Sequence, residues 1–139
     1  MNYGIVNQAQ LEDIKTAMLE SLISKGVECV ILLDKAGNTI ATADNGACDY
    51  DIYAFTALGA GNFATVESMA NLVGENDFSQ FFHTGEKTNI HFCKVDDNLL
   101  LVSIFGKELS LGYLRLNVAD LVHKIRLICR QGRESGHMS

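Results

Sequence analysis

The run Leu99 to Phe105, LLLVSIF, is apolar at every position but Ser103. A strand sends successive side chains to opposite faces, so this one has no face fit for water and belongs in the middle of a sheet covered on both sides. Any fold for the chain must therefore supply two helical layers. The flanking sequence contains them. Leu11, Ile14, Met18 and Leu22 recur at helical spacing between Asn7 and Lys25, with Gly26 where a left-handed cap is wanted. Leu111, Leu114, Val118, Leu121, Val122, Ile125 and Ile128 define a last helix from about Ser110 to Arg130, with Lys124, Arg126 and Arg130 expected near its negative end.

Between these lie two hairpins and one further helix. Val27 to Leu33 is β-rich and turns through Asp34-Lys35-Ala36-Gly37 into Asn38 to Ala43. Phe78 to Thr84 and Asn89 to Val95 flank the turn Gly85-Glu86-Lys87 and precede the apolar run. The order is helix, two strands, helix, three strands, helix. Three helices cannot share one face of a five-stranded sheet of this size, which predicts a three-layer α/β sandwich with the central helix alone on one face. The strand Phe78 to Thr84, rich in Phe and without internal charge, falls near a sheet edge, a hazard that dimerisation would remove.

The central helix, Asp51 to Gly74, has an unusual pattern. Asp49 or Asp51 is placed to cap it, and Gly74 to end it. Stepping ~100° per residue puts Phe55, Leu58, Val66, Met69 and Val73 on an expected sheet-facing stripe. Ala57, Gly61, Ala64 and Ser68 fall opposite. Water would select Lys and Glu there, whereas four small residues let another backbone approach. Gly61 argues against a merely solvated face, because a mid-helix Gly costs ~1 kcal/mol relative to Ala. Asn62, near the sheet-facing side, is expected to tie the helix to neighbouring backbone.

With 139 residues and 47% apolar content, the chain can bury a single core of its own. Net charge is −6 with scattered Lys and Arg, which excludes the basic footprint nucleic acids require. No leader pattern and no run of ~20 apolar residues is seen, so a cytoplasmic protein without membrane contact is expected. Cys29, Cys48, Cys93 and Cys129 show no metal-ligand or redox spacing. Gly59-Ala60-Gly61-Asn62-Phe63-Ala64 fits a dinucleotide fingerprint only on paper, since helical periodicity begins before it and its amides are already bonded. His83, His91, His123 and His137 stand beside no nucleophile, so no metal, cofactor or catalytic residue is expected. The polar segment 131–139 reads as a flexible tail after a single domain over 1–130, and its last four residues resemble a cloning remnant.

Leu58 to Glu86, LGAGNFATVESMANLVGENDFSQFFHTGE, followed by LLLVSIF and Ser110-Leu111-Gly112-Tyr113-Leu114-Arg115-Leu116, resembles the roadblock family, and within it the bacterial polarity regulators of the MglB type. The similarity runs from Gly26 to about Ile128. It implies a profilin-like α-β-α sandwich with sheet order 2-1-5-4-3, whose third strand pairs across a two-fold in a homodimer. Phe78, Gln80, Phe81, Phe82 and His83 would then form the dimer interface with Ala60. The resemblance further implies a regulator of a Ras-like GTPase of the MglA type, bound across the paired central helices. Ala64 and Ser68 match the family's GTPase contacts, with Ala57, Gly61 and Thr65 beside them; the family often has Gly in place of Ser68. GTP and Mg2+ would belong to the partner. Such regulators supply no arginine finger, and no Arg occurs between Gly26 and Gly112. The longer acidic C-terminal extension of some relatives is missing. The alternative within the family is a scaffold or adaptor dimer that leaves hydrolysis unchanged, and a profilin-shaped small-ligand sensor is a third.

Overall fold

The computed structural model describes residues 6–46, 48, 51–75 and 79–138, with side chains described up to Arg130. The elements are α1 (Gln8–Ser21), a short 3-10 turn (Ile23–Lys25), β1 (Cys29–Asp34), β2 (Thr39–Asp44), α2 (Ile52–Leu72), β3 (Gln80–Thr84), β4 (Thr88–Lys94), β5 (Leu99–Gly106) and α3 (Leu111–Met138). The strands form one sheet in the order β2-β1-β5-β4-β3, with every neighbouring pair antiparallel. This is the expected order, with the doubly apolar strand at its centre.

β5 is buried along its whole length. Leu100, Val102 and Ile104 join Ile31, Leu33 and Phe92 in the core beneath α2. Leu99, Leu101 and Phe105 join Val30, Leu32 and the inner faces of α1 and α3 in the other, larger core. Ile14, Met18, Leu22, Leu114, Leu121 and Ile125 are fully buried there, so the helical spacing of the sequence translates directly into packing. Asn7 and Gln10 close a capping box at the start of α1.

α2 begins where Asp51 accepts a hydrogen bond from the Ala54 amide at 3.1 Å. It ends at Gly74, whose φ of 85° lets the chain turn back so that the Glu75 amide reaches the Ala70 carbonyl at 2.9 Å. The β1–β2 turn passes close beneath it. Gly37, at φ 92°, lies where a Cβ would come within 3.3 Å of the Ala57 Cα.

Two expectations are corrected here. α3 continues to Met138, so Lys124, Arg126 and Arg130 lie within the helix and not at its negative end. They work laterally instead: Arg126 donates from Nε to the Val95 carbonyl at 2.7 Å, and Lys124 bridges Asp120 at 3.1 Å and the Ser21 hydroxyl of α1 at 3.1 Å. The sheet-facing stripe of α2 also differs from the expected one. Phe55 of that stripe packs against the sheet-side core as expected, but the buried residues of the helix are Thr56, Gly59, Ala60 and Phe63, while Leu58, Met69 and Val73 are exposed. The helix is apolar around much of its circumference, and the stripe richest in large side chains is not the one in contact with the sheet.

If β5 is covered on both faces, adjacent truncations in it must both be costly. Leu100→Ala and Leu101→Ala are each expected to lose ~2–5 kcal/mol of unfolding free energy in denaturant titrations. A strand with one wet face would lose stability at only one of them.

Candidate functional site

The outward face of α2 is built of two kinds of residue. Ala57, Gly61, Ala64, Thr65 and Ser68 are all exposed, as the sequence pattern requires. Around them stand large apolar side chains, two of which the sequence pattern assigns to the core: Leu58 is 76% exposed and Met69 61%, and Leu72 beside them is 86% exposed. Tyr53 is exposed at the start of the helix. These exposed apolar side chains lie together on one helix and are not scattered over the surface.

Gly61 makes the case most sharply. A Cβ built there would meet nothing within 4 Å, so no contact inside the subunit requires glycine. Its backbone is ordinary helix, with the Thr65 hydroxyl donating to the Gly61 carbonyl at 3.0 Å. The ~1 kcal/mol that glycine costs in such a place has no internal return.

Polar contacts fix α2 over the sheet at both flanks. Glu67, its sole charged residue, lies 3.6 Å from the Lys35 ammonium and 3.8 Å from that of Lys94. Thr39 and Thr56 share a hydroxyl hydrogen bond of 3.0 Å. Towards β3, the Asn62 amide meets His83 Nε2 at 3.2 Å. Asn62 thus ties the helix to the side chain of an edge strand, not to neighbouring backbone as expected. The exposed face of α2 and the free flank of β3 adjoin as one surface.

The expected dimer-interface residues separate. Phe81 stacks on Phe92 with ring centroids 4.3 Å apart and also touches Phe63, beneath α2. Phe82 stacks on Phe105 at 6.2 Å on the opposite side of the sheet. Both rings are half-buried within the subunit, and among the described residues β3 is the last strand of the sheet, paired with β4. Gln80 receives His91 Nε2 at 2.9 Å, and His83 is exposed. Ala60 is 5% exposed and packed in the core under α2. Phe78 lies outside the described residues.

Among the described residues no group of His, Cys, Asp and Glu could hold a metal ion. Burial pushes the Cys29 thiol up to about 12, leaving it unreactive. The dinucleotide-like glycines lie within α2, as the periodicity requires. No helix of the described residues is long and apolar enough to cross a membrane. The structure holds a titratable group elsewhere: His91, 2% exposed, is pushed down to about 4 by desolvation and by the field of Arg115.

A five-stranded antiparallel sheet between one helix and two is an α/β sandwich of the profilin-like kind. Residues 14–105 match the model of the Roadblock/LC7 domain, and the chain belongs to that family. Its fold is shared with MglB from Myxococcus xanthus, at 28% identity and a TM-score of 0.81, over 91% of this chain and 95% of that one. The gliding protein MglB of Thermus thermophilus superposes with a TM-score of 0.82 at 23% identity, and an MglB with tetrameric arrangement with 0.83 at 22%, each over 91% of this chain and 95% of the other. A sequence comparison with curated proteins finds no match.

Two outcomes follow from the site. Gly61→Ala is expected to raise the unfolding free energy of the protein by up to ~1 kcal/mol, measured by denaturant titration, since the methyl enters open space. For His91 the folded value lies below the ordinary 6.5, so its contribution to stability is intact above about pH 6.5 and is lost as pH falls towards about 4. His91→Gln should flatten the loss of stability between those values, which amounts to up to about 3 kcal/mol.

Proposed function

We propose that this protein is a homodimeric, non-enzymatic regulator of a Ras-like GTPase of the MglA type, stimulating its GTP hydrolysis in a cytoplasmic polarity or motility system. The observation that carries the reading is the exposed, uncharged small-residue face of α2, with a glycine at Gly61 that nothing within the subunit requires. Ala57, Gly61, Ala64, Thr65 and Ser68 would admit the GTPase's backbone. The flanking Leu58, Met69 and Leu72 would supply apolar area to the same contact or to the α2 of a second copy. Pairing of β3 with its counterpart, through Gln80 to His83, would complete the open sheet edge and set two α2 faces side by side. Family membership and the likeness to MglB structures support this reading.

The mechanism follows from what the face lacks. GTPases gain rate from an aligned water and from positive charge on the transferring phosphate. Between Tyr53 and Leu72 the helix has no cation to insert. Stimulation must then come from tighter binding to the GTPase conformer whose own residues are aligned, and a tenfold preference corresponds to ~1.4 kcal/mol of differential contact.

Single-turnover GTP hydrolysis by an MglA-type GTPase, with and without this protein, tests the reading. At least about a tenfold acceleration is expected. Ala64→Arg should abolish both binding and acceleration, while light scattering still reports the dimer. A complex that forms without changing the rate would leave a scaffold; Ala64→Arg that still binds would place the GTPase elsewhere.

A further inference from the structure

The segment Ser110 to Leu116 opens α3, and the function proposed above gives it no task. Leu114 is buried in the core, whereas Leu111 and Arg115, one turn apart, line a cavity of about 130 Å³ at the edge of the sheet. Gln80, Phe81 and Phe82 of β3 and His91 of β4 complete its walls. The polar members are not fully used. Among the described residues, Arg115 makes no ion pair and no hydrogen bond. His91 is bonded through Nε2 to Gln80, but its buried Nδ1 has no partner among the described residues. Ser103, opposite it in β5, and Asn89, two residues before it, do not line the cavity but each also buries an oxygen without a partner among the described residues. Native structures leave few such atoms, and here three occupy adjoining positions of one strand pair.

We propose that this cavity binds a small organic carboxylate, held at its charged end by Arg115 and along its hydrocarbon part by Phe82 and Leu111, with His91 as a second hydrogen-bonding group. A guanidinium fork matches a carboxylate in shape and charge, and the N-terminal end of α3 adds positive potential. The volume is below the ~300 Å³ at which sites for drug-sized ligands begin, which excludes a nucleotide. The apolar walls exclude inorganic phosphate, whose oxygens point in every direction and would lie against Phe82 and Leu111.

Binding is linked to a proton. Arg115 is the charged group whose field reaches His91; Gln80, Phe82 and Ser103, which neighbour His91 on the strands, carry no charge. Burial is the larger cause of the low His91 value and the Arg115 field the smaller; a bound carboxylate offsets that field and, as a negative charge beside the ring, favours a proton on Nδ1, while Nε2 continues to donate to Gln80. Affinity should therefore rise as pH falls, by up to about tenfold per unit between the bound and free values of His91. Neither Arg115 nor His91 belongs to the exposed face of α2, so this inference is separate from the GTPase contact, although Gln80, Phe81 and Phe82 of the cavity wall lie on the strand proposed above to pair between subunits.

The test uses the full chain with butyrate as probe, following the His91 ring and Arg115 side-chain resonances by NMR. Saturable shifts are expected, with affinity increasing severalfold from about pH 7.5 to about pH 5.5. Arg115→Gln, at an exposed position, should weaken binding at least about tenfold without changing the melting temperature. His91→Gln should retain binding and lose its pH dependence. The proposal is overturned by the absence of saturation at about 50 mM butyrate, far above millimolar affinity. An unchanged response in Arg115→Gln, or inorganic phosphate binding more tightly than butyrate, overturns it equally.

Discussion

The burial of β5 on both faces is the constraint on which the rest of the structure depends. An uninterrupted apolar strand forces a helical layer onto each side of the sheet, and the chain has only three helices to distribute among the described residues. Two of them, α1 and α3, lie together over one face and form a continuous core with it. The other face is left to α2 alone. A single helix offers the sheet one stripe of its surface, here Thr56, Gly59, Ala60 and Phe63, and the remainder must look outward. The uneven distribution of helices thus produces the surface that the protein has available for partners.

What makes that surface distinctive is the placement of charge. α2 has one charged side chain, Glu67, which is turned towards Lys35 and Lys94 at the sheet's flank. Partly exposed pairs of this kind contribute little stability, but they orient the helix and remove its charge from the outward face. Asn62 and His83 do the same on the opposite flank at no cost in charge. The helix is held by its edges, its outer side is left uncharged, and that side continues into the free edge of β3. Close approach of another backbone needs small residues, absent charge and a rigid support, and all three coincide here.

The layered fold was legible in the sequence because it rests on local periodicity. LLLVSIF, the spacing of Leu114 to Ile125, the Asp51 cap and the Gly74 stop each act within a few residues, and each is found where the pattern puts it. The small-residue side of α2 was legible for the same reason. The register of its apolar side was not. In a helix with Leu, Met, Val and Phe around most of its circumference, periodicity does not say which of several apolar stripes meets the sheet. The side chains of the sheet decide, and Phe92 and Ile31 accept Phe63 and Ala60 rather than Leu58 and Met69. The fate of Phe81 and Phe82 was hidden likewise, because an edge strand can spend both its faces on its own subunit.

Composition and periodicity alone determined the number and order of elements, the two-sided burial of the last strand and the presence of a helix face too small and too uncharged for water. Those properties depend on neighbours along the chain. Tertiary structure decided the rest: which apolar side of α2 stays outside, that Ala60 is a core residue, that Lys124 and Arg126 brace α3 laterally, and that Arg115 comes to lie beside His91. Each of these is set by a surface contributed from a distant part of the sequence, and no local rule contains it.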